Sequence, residues 1–188
     1  MYRNDGSLSF TDQASIAGVD DENDGYSVQF ADFDNDGDLD LHLVNNNGDD
    51  KLYQNSGGSF TDVGESQGVA YNSAGRGNAW ADVDSDGDLD LYLSNFGSTN
   101  ILYTNGNPTT TCLFVRPVST NGHYTMFGAT VNLYVSSTDA LVATRLIDGG
   151  SGYASQNSYP AMFAALSTDT CYDIEVRSHR ASLDKIGA

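Results

Sequence analysis

A nine-residue acidic turn that occurs twice limits what this chain can fold into more than any other feature. Asp32-Phe33-Asp34-Asn35-Asp36-Gly37-Asp38-Leu39-Asp40 returns fifty residues later as Asp82-Val83-Asp84-Ser85-Asp86-Gly87-Asp88-Leu89-Asp90. Five carboxylates so close together repel one another unless a cation sits among them. The spacing selects the cation. Asp at the first, third and fifth positions directs three hard oxygens inward. Gly at the sixth permits a sharp turn, the seventh can offer its carbonyl, and Asp at the ninth closes the shell. A flexible, oxygen-only loop of this kind suits calcium better than magnesium or zinc. An EF-hand is excluded, because that loop needs a bidentate Glu at position twelve and a helix after it. Position twelve is Leu43 in one copy and Leu93 in the other. The alternation Leu39-x-Leu41-x-Leu43, repeated as Leu89-x-Leu91-x-Leu93, predicts instead a strand with one buried face. On that alternation His42 falls on the exposed face. The bland alternative, a solvated acidic turn without metal, fits poorly with two copies in one register.

The repeat extends beyond the loops. Ser9-Phe10-Thr11-Asp12 matches Ser59-Phe60-Thr61-Asp62, and Gly18-Val19 matches Gly68-Val69. A third signature, apolar-Tyr-x-Asn, occurs as Met1-Tyr2-Arg3-Asn4, Leu52-Tyr53-Gln54-Asn55 and Leu102-Tyr103-Thr104-Asn105. Each unit therefore holds several short strands separated by turns, the size of one propeller blade or one set of β-solenoid rungs. The recurring aromatics Tyr53, Phe60, Trp80 and Tyr103 read as core packing, as do Tyr26 and Tyr71.

Residues 1–105 resemble FG-GAP/VCBS repeats, most clearly at Phe30-Ala31-Asp32 through Leu41 and at Trp80-Ala81-Asp82 through Leu91. The resemblance implies β-propeller blades in an extracellular or cell-surface setting. It also implies calcium held by Asp32, Asp34, Asp36, Asp38 and Asp40 in one loop and by Asp82, Asp84, Asp86, Asp88 and Asp90 in the other. A linker follows at 106–111. Alternation and β-branched content then predict strands at 112–118, 129–135, 141–147 and 172–177, with turns at Asn121-Gly122 and Asp148-Gly149-Gly150. Residues 112–180 resemble an ASPIC/UnbV domain, as in cartilage-acidic-protein-like chains. Phe127-Gly128-Ala129-Thr130-Val131 and the run from Asp148 to Ser158 carry that likeness. The chain departs from the family at Ala164-Ala165-Leu166, where Gly-Leu-Gly is the pattern. Residues 181–188 read as a loose tail. The fold class expected is all-β, with propeller-blade-like repeats and a C-terminal antiparallel β-sandwich-like domain.

Charge narrows the partners. A net charge of −18 argues against nucleic acid and against anionic membranes, and no stretch is apolar enough to span a bilayer. Cys112 and Cys171 lie in strand-like runs, and outside the cell they are expected to pair. Closing a loop of about 60 residues would contribute roughly 4 kcal/mol in the chain-entropy account; the alternative is two free thiols. Catalysis is not expected. His42, His123 and His179 are scattered without zinc spacing, and Gly149-Gly150-Ser151-Gly152-Tyr153 is not a nucleophile elbow.

Blade arithmetic shapes the functional expectation. A propeller needs at least about four blades, whereas this sequence holds two full units and opens inside a third. Blades with open strand edges cannot bury their faces alone. Either the chain is a piece of a longer propeller or the next copy completes it, head to tail. The expectation is a secreted, calcium-stabilised structural protein that assembles with itself into an extracellular filament or surface matrix. The runner-up is a cell-adhesion or carbohydrate-binding module that presents exposed tyrosines to glycans.

Overall fold

The fifty-residue period resolves into antiparallel meanders, one of four strands and one of three. The computed structural model describes residues 1–107, 111–119, 122, 126–150, 152–158, 160–178 and 185–187. β1 (Tyr2–Gly6) and β2 (Ser9–Asp12) pair antiparallel, and one helical turn, α1 (Ala14–Ala17), follows. The first full blade is β3 (Gly25–Ala31), β4 (Asp40–Asn45), β5 (Lys51–Ser56) and β6 (Ser59–Asp62), paired in that order. The second blade has three strands, β7 (Gly75–Ala81), β8 (Asp90–Asn95) and β9 (Ile101–Tyr103). Their registers coincide: Phe30, Leu41 and Tyr53 stand side by side across blade 1, as Trp80, Leu91 and Tyr103 do across blade 2. Each acidic turn connects the first strand of its blade to the second.

The remaining strands are β10 (Leu113–Val115), β11 (Thr130–Val135), β12 (Ala140–Leu146), β13 (Ala161–Phe163), β14 (Tyr172–Arg177) and β15 (Lys185–Gly187). They form a β10–β13 pair and a β12–β11–β14–β15 sheet, both antiparallel. The two sheets enclose a core of Val131, Leu133, Ala161 and Phe163, flanked by Leu113, Val115, Ile174 and Val176. The chain is therefore all-β, as expected. Among the described residues no helix is long and apolar enough to cross a membrane.

β13 joins the two halves. Strand alternation turns Ala161 and Phe163 into the sandwich core. It turns Met162 the other way, together with Ala164 beyond the strand, onto Phe33, Leu52, Trp80, Leu89 and Leu91 of the blades. All three strand residues are buried. Nearby, residues 153–158 run along the free edges of the first strands. The Trp80 amide donates to Asn157 Oδ1 (3.0 Å), the Ser158 amide donates to the Trp80 carbonyl (2.9 Å), and the Tyr153 amide donates to Ser27 Oγ (3.2 Å). Gly77 permits this approach, because a Cβ there would collide with the Tyr153 carbonyl.

Several expectations need correction. His42 is 1% exposed, not solvent-facing, because β4 is covered on both sides. Leu41 faces Val19 and Tyr53 on one side, while His42 meets Asn78 and the Trp80 ring of the second blade on the other. Burial pulls its pKa down to about 3, so the ring is neutral. Asn78 donates to Nδ1 (2.8 Å), which leaves the proton on Nε2. The expected Cys112–Cys171 disulfide is absent. Cys112 packs half-buried against the blade core, whereas Cys171 is exposed just before β14. Tyr26 is 42% exposed and stacks edge-on with Tyr153 rather than filling a core. The strand expected over 112–118 is only three residues long. Within the supposed loose tail, 185–187 pair with β14. His123, His179, Ser151 and Asn121, together with 181–184 and 188 of the tail, lie outside the described residues.

Comparing the two blades isolates one buried acid. Asp50 Oδ1 accepts the Asn45 amide (2.7 Å), and Asn100 Oδ1 accepts the Asn95 amide (2.9 Å) at the equivalent place. Asp50 is 1% exposed and its Oδ2 has no donor. Burial, reinforced by the charge of Asp49 and opposed by the Asn45 amide, pushes its pKa from 3.8 to about 7. A carboxyl whose folded pKa lies above its unfolded value favours folding at low pH, and that contribution is lost as pH rises through about 7. Asp50→Asn should therefore melt close to wild type near pH 4 and about 3 °C higher near pH 8, by calorimetry. An equal gap at both pH values would remove ionisation of Asp50 as the cause.

Candidate metal centre

Both acidic turns fold the same way, and the backbone shows why the sequence pattern recurs. The fourth position is left-handed in each, Asn35 at φ 60° and Ser85 at φ 66°, as are Gly37 and Gly87 at φ 97°. The first-position carboxylate accepts the sixth-position amide, Gly37 to Asp32 Oδ2 and Gly87 to Asp82 Oδ2, both at 3.2 Å. The fifth accepts the seventh, Asp38 N to Asp36 Oδ1 at 2.9 Å and Asp88 N to Asp86 Oδ1 at 3.1 Å. The ninth-position carboxylate closes the turn by taking the second-position amide, Phe33 to Asp40 Oδ2 (3.0 Å) and Val83 to Asp90 Oδ2 (2.8 Å).

The Tyr-x-Asn signature belongs to the same device. The Asn55 amide donates to Asp40 Oδ1 (2.8 Å), and the Asn105 amide donates to Asp90 Oδ1 (2.9 Å). Their side-chain amides cap the eighth-position carbonyls, Leu39 at 2.9 Å and Leu89 at 3.3 Å. Sequence reading recorded this asparagine without giving it a role; its fixed distance after each loop was the available signal. Gln54, which donates to Asp34 Oδ2, and Asn107, which donates to the Asp34 carbonyl, were missed.

In the first loop the carboxylates of Asp32, Asp34 and Asp40 converge, each placing an oxygen within 4.8 Å of the others. In the second loop the group is Asp82, Asp84 and Asp86. The remaining expected ligands stand outside these groups. Asp36 binds the loop's own backbone, Asp38 accepts the Gly57 amide (3.0 Å), Asp88 accepts Asn35 Nδ2 (2.7 Å), and Asp90 holds the two amides already described.

The residues present fit a hard divalent cation. Every donor is a carboxylate oxygen, and Asp32 Oδ1 and Asp34 Oδ1 are buried without a hydrogen-bond donor. Burial drives Asp32 up to about 6, against the pull of Arg145. It drives Asp40 up to about 7, against the Asn55 and Phe33 amides. Asp36 is raised as well, chiefly by burial. A dication bound among these carboxylates would favour the ionised forms of Asp32 and Asp40.

Residues 1–43 and 32–93 match the family model described as the FG-GAP-like repeat. The first half of the chain thus carries FG-GAP-like repeats, and the match ends before the sandwich. No curated protein matches the chain.

Removing one converging carboxylate should uncouple the loops from calcium. If each loop binds about a hundredfold below ambient calcium, occupancy contributes roughly 2.7 kcal/mol. Asp34→Ala or Asp84→Ala should then lower the melting temperature by about 5–10 °C in calcium and by little in chelator. The same loss in both conditions would mean that these side chains do not hold metal.

Proposed function

We propose that the FG-GAP-like repeats form a calcium-stabilised, non-catalytic structural module, secreted to the cell exterior, whose blades continue from one copy to the next. The product would be a head-to-tail filament or surface matrix, with one calcium in each acidic loop. FG-GAP repeats occur in extracellular and surface proteins, which supports the location. The likeness of 112–180 to an ASPIC/UnbV domain is part of the same proposal.

One observation carries it. Blade 2 ends at β9 with no fourth strand among the described residues, and the face it turns away from blade 1 is apolar and bare. Val83, Tyr92 and Leu102 are 53%, 44% and 49% exposed. Their counterparts in blade 1, Phe33, His42 and Leu52, are 9%, 1% and 2% exposed because blade 2 covers them. The complementary face is also bare. Val28 and Phe30 are 41% and 47% exposed where Asn78 and Trp80 are 1% and 5% exposed. Both exposed faces correspond to a contact that the chain already makes once internally, which supports head-to-tail assembly.

A second reading, adhesion through glycan binding, draws on a surface group. The Arg76 guanidinium lies over Tyr26 (4.4 Å) and Phe96 (5.1 Å), and Tyr153 packs against Tyr26. Electron microscopy in calcium and in chelator separates the two. Assembly should give regular filaments in calcium that disperse in chelator. Leu102→Glu, at an exposed site, should abolish them without lowering the melting temperature. Discrete monomers in both conditions, together with oligosaccharide heats in titration calorimetry, would replace assembly with the glycan reading.

A further inference from the structure

The two loops share a pattern of aspartates but not their surroundings. Asp32 is 2% exposed, and its neighbour across the junction is Arg145 of β12, whose side chain is 11% exposed. Besides its own strand, where Nη1 donates to the Thr144 carbonyl (3.3 Å), the Arg145 fork makes three contacts at once. Nε donates to the Met162 carbonyl (3.0 Å), Nη2 donates to the Gly37 carbonyl (3.0 Å), and Nη2 lies 3.5 Å from Asp32 Oδ2. The guanidinium also sits 5.4 Å from the centre of the Phe163 ring. It therefore ties β13 to the first and sixth positions of loop 1. Among the described residues Asp82, the same position in loop 2, has no ion pair, and Asp84 and Asp86 are exposed.

A fixed positive charge beside the first ligand has two consequences. It holds the loop in shape before any ion arrives, because it partly neutralises Asp32 and pins the Gly37 carbonyl. It also removes part of the negative potential that draws a dication. Whatever one cation costs the other is reciprocal, so an ion at loop 1 must weaken the grip of Arg145 on the blade. The planar, many-donor fork of an arginine suits contact with both carbonyls and the carboxylate at once.

We propose that Arg145 is a built-in counter-ion of loop 1, a positioning residue that sets this loop below loop 2 in calcium affinity and couples its occupancy to the docking of β12 and β13 on the blades. This rests on the reading that both loops take calcium.

Calorimetric titration with calcium chloride tests it, with Asp84→Asn isolating loop 1 and Asp34→Asn isolating loop 2. Arg145→Met should tighten loop 1 about tenfold and leave loop 2 unchanged. Arg145→Lys, which keeps the charge, should stay within about threefold of wild type at loop 1. Unchanged or weaker binding at loop 1 in Arg145→Met overturns the inference, as does equal tightening in Arg145→Lys. In the unsubstituted chain the Arg145 Nε–H resonance should shift and exchange faster on calcium addition. A resonance unmoved through saturation overturns the inference even if the methionine variant fails to fold. Absence of calcium heat in wild type would instead remove the metal reading itself.

Discussion

Ten carboxylates confined to two short turns are the constraint from which the rest of the structure follows. Left in water they would hold the turns open. The fold answers by giving most of them a backbone partner. The ninth-position aspartate is central, because its two oxygens take one amide from inside the turn and one from the third strand. Loop, second strand and third strand thereby become one unit, and the asparagine of the Tyr-x-Asn signature is the clasp. Only part of the acidic set converges, namely three side chains in each loop. Charge here serves as scaffold and as ligand at once.

Blades built this way carry apolar side chains on both faces, so each needs a neighbour on either side. Between blades 1 and 2 that need is met by Trp80, Leu91 and Leu52 in one core. At the first-strand edges it is met by the C-terminal half, through Asn157, Ser158 and the fully buried β13. A three-residue strand can hold two cores together because alternation sends Met162 one way and Ala161 and Phe163 the other. The sandwich is thus part of the blade packing rather than an appended unit.

The sequence made the local rules legible and the crossings between elements illegible. Loop spacing and the Leu-x-Leu strands could be read because each depends on residues within about ten positions of one another, and the blade period because the same signatures return fifty residues later. His42 could not be placed, because a two-residue alternation reports one face and says nothing of what covers the other. The cysteine pair was inferred from compartment and composition, which carry no information about whether two side chains meet. Tyr26, outside the clearest repeat matches, reads as core with the other aromatics, yet its strand position opens to solvent and finds Tyr153. Arg145 lies more than a hundred residues from Asp32, in a strand whose pattern gave no reason to single out one cation. The β13 strand was hidden by brevity.

Two identical motifs need not make two identical sites. The motif settles the backbone of the turn, whose left-handed positions are the same in both copies, but not which carboxylates converge: Asp32, Asp34 and Asp40 in one loop, Asp82, Asp84 and Asp86 in the other. Affinity depends also on what lies against the turn, and there the copies differ. Loop 1 is braced by Arg145 from the sandwich, by Asn105 at the Phe33 carbonyl (2.7 Å) and by Asn107 at the Asp34 carbonyl (2.8 Å). It also reaches loop 2 directly, Asn35 to Asp88 at 2.7 Å. Loop 2 lies where no further blade follows among the described residues, and its converging carboxylates remain open to water. Much of the cost of ordering loop 1 is therefore met by protein contacts, whereas loop 2 has fewer such contacts. That division makes the inner loop part of the junction between blades and sandwich, and leaves the outer loop beside the bare face of blade 2.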